Sequence, residues 1–163
     1  MPNISAVAIS DYPQVANLYR ECGYRGGITA ADTAIAAMVG NTIVGAVRLC
    51  PEGGVTVLRG MQVLPAYQRQ GIGSNLLEAC VPYLSSVTAY CLPYSHLAVF
   101  YGTVGFLTVD EATLPQFLQD RQSSYVASGI GTIAMSRMSP NNSFKPNPLR
   151  SFKSPPGLSG GSA

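Results

Sequence analysis

The chain predicts an α/β domain with a mixed, mostly antiparallel central sheet flanked by helices, and three observations carry that prediction. Three β-prone runs follow one another at 34–39, 42–50 and 55–63, separated by Gly40-Asn41 and by Pro51-Glu52-Gly53-Gly54. Turn signals of this kind between short apolar runs predict an antiparallel meander. Stretches with helical spacing then alternate with single strand candidates, the pattern of crossover connections. Finally, 47% of the 163 residues are apolar and 11% are charged, which suits one domain with a real core.

Taken in order, residues 4–9 form a short apolar first strand. Ser10-Asp11 offers a helix cap, and Pro13 is tolerated in a first turn. Val15, Leu18, Tyr19 and Cys22 follow at i, i+3, i+4 and i+7, a stripe closed by Gly23. Residues 24–33 are glycine-rich and read as a loop. After the meander, Leu64-Pro65 ends the third strand. A helix is expected from near Gly71, with Ile72, Leu76, Leu77, Cys80, Val81 and Leu84 on one side and Pro82 ending or kinking it. Residues 87–92 predict a strand buried on both faces. Ser95 is expected to cap a helix bearing Leu97, Phe100, Tyr101 and Val104 up to Gly105. Closing strands are expected at 106–110 and 126–135, around a helical connection at 114–122. The domain therefore spans residues 3–138. Residues 139–163, rich in Pro, Ser and Gly without apolar periodicity, predict a disordered basic tail.

Charge and composition exclude several classes. The net charge is +2, but three of the ten basic residues, Lys145, Arg150 and Lys153, lie in the acid-free tail. The body holds seven basic against eight acidic residues, without the concentrated basic face of a nucleic-acid binder. No apolar run reaches the ~20 residues that span a bilayer, and the N-terminus lacks a signal-peptide pattern. The expectation is a cytoplasmic protein, with no nucleic-acid or membrane partner. Cys22, Cys50, Cys80 and Cys91 form no C-x-x-C pair, and His96 is the single histidine. No metal site is expected, and the cysteines read as small buried hydrophobes.

The chemically informative stretch is 55–84. A strand ends at Val63, a short connection follows, and Gln68-Arg69-Gln70-Gly71-Ile72-Gly73-Ser74 opens a helix. Successive unhindered amides at a helix start make a concave nest of N–H donors, and the helix dipole adds positive potential. Glycine lets a phosphate oxygen approach the backbone, and Arg69 can add a charge-assisted contact. These features predict a pyrophosphate site. A P-loop is excluded because its lysine is missing, and a dinucleotide fold because the preceding strand belongs to a meander.

The stretch V-L-P-A-Y-Q-R-Q-G-I-G-S-N-L-L resembles the acetyl-CoA-binding signature of the GNAT superfamily, Q/R-x-x-G-x-G/A after a strand ending in V-x-P. About thirty residues on, L-A-V-F-Y-G-T-V-G-F (97–106) resembles its second signature, L-x-x-F-Y-x-x-x-G-F. The resemblance covers roughly residues 3–138 and points to a small bacterial type. It implies a GNAT-like sheet and acetyl-CoA as co-substrate. It also implies that the third meander strand splays from its neighbour, so that Met61, Gln62 and Val63 bind the pantetheine arm and acetyl carbonyl. Arg59-Gly60, which breaks the alternation of that strand, is compatible with a bulge. Within the tail, NSFKPNPLRSFK resembles the translated recombination sites that end mobile integron cassettes.

The implied function is transfer of an acetyl group to a primary amine of a small molecule. The alternatives are a non-catalytic acyl-CoA sensor and a peptide N-terminal acetyltransferase. Transfer needs a neutral amine, a stabilised oxyanion and a leaving thiolate. The resemblance assigns the general acid that protonates the thiolate to Tyr101. The base stays open among Glu52, Glu21, Asp32 and His96, with Glu52 read as a solvated turn charge and His96 as a surface residue. The resemblance places an acceptor pocket around residues 24–32. There Glu21, Tyr24 and Asp32 are the candidate contacts, and the two acids would favour a cationic amine. A homodimer is left open.

Overall fold

The computed structural model describes residues 2–139, and within them the strand and helix order follows the sequence expectation. Seven strands form one sheet: β1 Asn3–Ala6, β2 Thr33–Val39, β3 Thr42–Glu52, β4 Val55–Val63, β5 Ala89–Cys91, β6 Leu107–Thr108 and β7 Met135–Arg137. Four helices connect them: α1 Tyr12–Glu21, α2 Ile72–Leu84, α3 Ala98–Gly102 and α4 Gln116–Ala127. The spatial order is β1-β2-β3-β4-β5-β7-β6. Every pairing is antiparallel except β4 with β5.

Packing explains why β3 sits centrally. Residues 43–50 are all buried, a two-sided burial that suits a β-branched and apolar run. On one face α1 lays Val15, Leu18 and Tyr19 against Ala34, Ala36 and Ala46. On the other, α2 brings Ile72, Leu76, Leu77, Cys80 and Leu84 into the largest core, which also takes in Tyr101 and Phe106. Helix α4 adds Leu118 beside Val57 and Ala134.

Two expectations need correction, and two need detail. Pro82 lies inside α2, two residues before the helix ends at Leu84. The last turn tolerates it because Leu84 is fully buried and anchors the end. Ser95 is not a side-chain cap; it opens a short 3-10 turn, Ser95–Leu97, that leads into α3. The run 126–135 is not one strand. Val126 belongs to α4 and is exposed, Gly129 turns the chain at φ +78°, and β7 begins only at Met135. Between them the chain is tied to the segment before α3, through Ile133 N–H to Pro93 O at 2.9 Å and Ser95 N–H to Gly131 O at 3.0 Å. Lastly, Ser139 is buried and donates to Ser85 O at 3.1 Å. The rest of the expected tail, with its cassette-like stretch, lies outside the described residues.

The bulge expected at Arg59-Gly60 is present. Arg48 pairs with Arg59 and Ala46 with Gln62, so Gly60 and Met61 oppose Val47 alone. Gly60 has φ +68°, and a Cβ there would lie 2.4 Å from Tyr19 Oη. Only glycine fits.

Candidate active site

The sheet opens between β4 and β5. These strands pair only through Thr56 with Ala89 and Val57 with Tyr90. Beyond Val57, β4 has no partner strand on that edge among the described residues, so its peptide groups there are available to a ligand. Two cavities lie along the opening, of about 710 Å³ and 520 Å³. Met61, Gln62, Leu97 and Tyr101 line both.

The smaller cavity is bounded largely by the connection from β4 into α2. Gln68, Arg69, Gly71, Ile72, Gly73 and Ser74 all line it. The backbone is coiled for anion contact: Arg69 has φ +63°, the one non-glycine with positive φ among the described residues, and Gly71 has φ +83°. The first helical hydrogen bond of α2 is Asn75 N–H to Gly71 O at 3.0 Å, so the N–H groups of Ile72, Gly73 and Ser74 precede the intrahelical ladder. A Cβ on Gly71 would meet no atom within 4 Å, and one on Gly73 would come to 3.6 Å from Phe100. Open space over free amides is what a diphosphate requires. The residues present therefore fit the diphosphate and pantetheine arm of CoA.

Two of the expected binding residues have local structural duties. The side-chain amide of Gln68 donates to Val63 O at 3.0 Å, and that of Gln70 donates to Ala66 O at 3.3 Å. Both stitch the connection to itself. Gln70 does not line either cavity.

Tyr101 is only 5% exposed. Its ring meets Phe100 at 4.9 Å and Phe106 at 6.2 Å, both edge to face. Burial holds the phenol well above its ordinary range, with Cys91 and Cys80 nearby adding to the shift. The phenol is therefore neutral at any physiological pH.

The larger cavity has a different lining. Tyr24, Tyr94, Tyr101 and Tyr125 supply aromatic wall, and Arg25, Arg59 and Arg121 supply charge. Among its described lining residues there is no Asp or Glu. The expected acidic contacts are thus placed elsewhere. Glu21 is exposed at the end of α1 and lines neither cavity. Asp32 is buried with its carboxylate on Arg48 Nη1 at 3.3 Å and on Thr29 N–H at 3.0 Å. Asp32 is an internal counter-ion, because an arginine in the sheet core demands one.

Arg48, which sequence reasoning passed over, organises this corner. It projects from β3, is 3% exposed, and donates from Nη2 to Tyr24 Oη at 3.0 Å. Its guanidinium lies 5.5 Å from the centre of the Tyr19 ring and 5.9 Å from that of Tyr24. Tyr24 is thereby fixed as a cavity wall. Glu52 is also corrected: it is no free turn charge, since it holds Arg59 at 3.4 Å and Arg121 at 2.6 Å. That tie fastens α4 to the β3–β4 hairpin. His96 is exposed and stacked on Tyr94 at 5.8 Å. No signal in the sequence linked Arg121 or Tyr125 to residues some seventy positions earlier.

Residues 30–107 match the family described as Acetyltransferase (GNAT) domain. Comparison with curated proteins gives no match. Solved structures share the fold. ElaA of Escherichia coli is 18% identical with a TM-score of 0.58, over 85% of this chain and 100% of that one. The ribosomal-protein-S18-alanine N-acetyltransferase of Escherichia coli is 17% identical with a TM-score of 0.60, over 89% and 100%. An aminoglycoside 6'-N-acetyltransferase complexed with coenzyme A is 17% identical with a TM-score of 0.60, over 90% and 99%. The family match and the seven-stranded mixed sheet agree, and residues 30–107 carry a GNAT acetyltransferase domain.

Proposed function

We propose that this protein transfers an acetyl group from acetyl-CoA to a primary amine of a small molecule by direct attack. The observation that carries the reading is the position of Tyr101, in the wall shared by a cavity of free helix-start amides and one of tyrosines and arginines. In this reading the amides of Gly71–Ser74 and the side chain of Arg69 hold the diphosphate, and Met61, Gln62 and Val63 present the unpaired edge of β4 to the pantetheine. Acetyl-CoA supplies the thioester. The amine nitrogen bonds to its carbonyl carbon, a β4 N–H stabilises the oxyanion, and the C–S bond breaks. Tyr101 gives its proton to the departing thiolate and regains one from the solvent that takes up the amine's proton. A thiolate with pKa about 8.5 is a reasonable leaving group, and a proton from a buried phenol completes its departure.

Calorimetry with CoA and acetyl-CoA, on the natural protein and on Gly71→Val, tests the cofactor half. Binding by the former and a loss of at least tenfold by the latter are expected, since a branched side chain at φ +83° would occupy the diphosphate's approach. Thiol release with a panel of small amines tests the transfer. CoA binding with no release across the panel would leave a sensor in its place.

A further inference from the structure

We infer that the acceptor amine carries an oxyanion, a carboxylate or phosphate, which the arginines of the larger cavity recognise; this rests on that cavity being the acceptor side of the proposed reaction. Three arginines line it, from three separate segments: Arg25 in the loop after α1, Arg59 on β4 and Arg121 on α4. Glu52 is the one carboxylate that pairs with any of them, and it is shared between Arg59 and Arg121. Nη1 of Arg121 is buried without a hydrogen-bond partner among the described residues, so Glu52 satisfies only part of that fork. Arg25 is exposed and has no ion pair among the described residues. The cavity therefore holds more positive charge than its own acids neutralise.

Such a lining selects against a cationic acceptor and for an anion, because like charges brought together in a partly desolvated site cost more than in water. Guanidinium is planar and forked, which matches carboxylate and phosphate oxygens two at a time. The tyrosines offer flat walls for the body of the molecule. The same field favours the neutral, nucleophilic form of the acceptor's amine over its ammonium. That lessens the need for a resident carboxylate base, which this cavity does not place on its walls.

The test uses matched probes on the CoA-loaded protein: phenylalanine against phenylalaninamide, and 2-aminoethyl phosphate against ethanolamine, with binding read by calorimetry. The anionic member of at least one pair should bind about tenfold more tightly, the worth of one charge-assisted hydrogen bond. The pair that discriminates tells carboxylate from phosphate. Arg25→Gln and Arg121→Gln should each bring the ratio towards one, and added salt should do the same. Arg25 lies on an exposed loop, so that variant reads the effect even if Arg121→Gln loosens α4. Equal or absent binding within both pairs, or a ratio that neither variant alters, overturns the inference. Thiol release in parallel separates the two claims: anion preference without acetyl transfer keeps this site and removes the enzymatic reading.

Discussion

On one side of Tyr101 the walls are mostly main chain: a turn with two left-handed residues, Arg69 and Gly71, and the first amides of α2. On the other side they are side chains, tyrosines and arginines brought in from two loops, a strand and a helix. A backbone site is a property of about seven consecutive residues, whereas a side-chain site exists only after the chain has folded. The first can stay the same while the second changes, and the difference separates what is shared across a family from what is particular to one member.

Three measurements press on this contrast. The largest effect is expected at the junction. Tyr101→Phe should lower kcat by on the order of 10²–10⁴-fold while leaving CoA affinity nearly unchanged, because it removes a proton donor and keeps the ring. Steady-state thiol release alongside calorimetry reads both; an unaltered kcat would return Tyr101 to a packing role.

Next in size is the support behind the side-chain wall. Arg48→Met leaves the buried carboxylate of Asp32 without its counter-ion and should cost about 3 kcal/mol, seen as a lower urea midpoint. Adding Asp32→Asn should recover part of that loss. If Asp32→Asn alone raised the acceptor KM sharply while barely moving the midpoint, Asp32 would have to be counted as a substrate contact after all.

The most gradual effect is a slow alkaline decline. Burial pushes the thiols of Cys50 and Cys80 from an ordinary value of 9.0 up to about 12, in Cys50 despite Arg48 beside it. The folded state keeps these protons where the unfolded chain releases them. Their contribution is thus whole below pH 9 and drains away as the pH climbs from there to about 12. Urea midpoints across that span should fall steadily; a level profile would mean that water reaches the thiols.

The order of strands and helices was legible from periodicity and turn residues, and the run 68–74, all but Gln70 of which lines the smaller cavity, could be picked out because it is contiguous. What the sequence hid has specific causes. Val126 reads as strand by β-propensity, yet Tyr125 and Arg121 on the same helix face the cavity and the Glu52 tie, so tertiary contacts override local preference. Asp32 reads as a free acid because nothing local announces Arg48, sixteen residues away on another strand. Arg48 in turn sits in an apolar run where a core residue was the natural expectation. Arg69 in a left-handed conformation carries no compositional mark at all, since non-glycine residues seldom adopt it.

The extra residue at Gly60 has one more effect. In an even strand, positions two apart share a side, so 59, 61 and 63 would point together. Because Arg59 stands opposite Arg48 and Gln62 opposite Ala46, while Leu58 and Val63 stand opposite Leu49 and Gly45, the count is reset midway along β4. Arg59 and Gln62 turn towards the arginine-rich side, and Val63 turns towards the α2 core. Pairing every residue without the bulge would exchange the two sets, whereas deleting Gly60 would leave Arg59 and Gln62 two places apart on the side they already share.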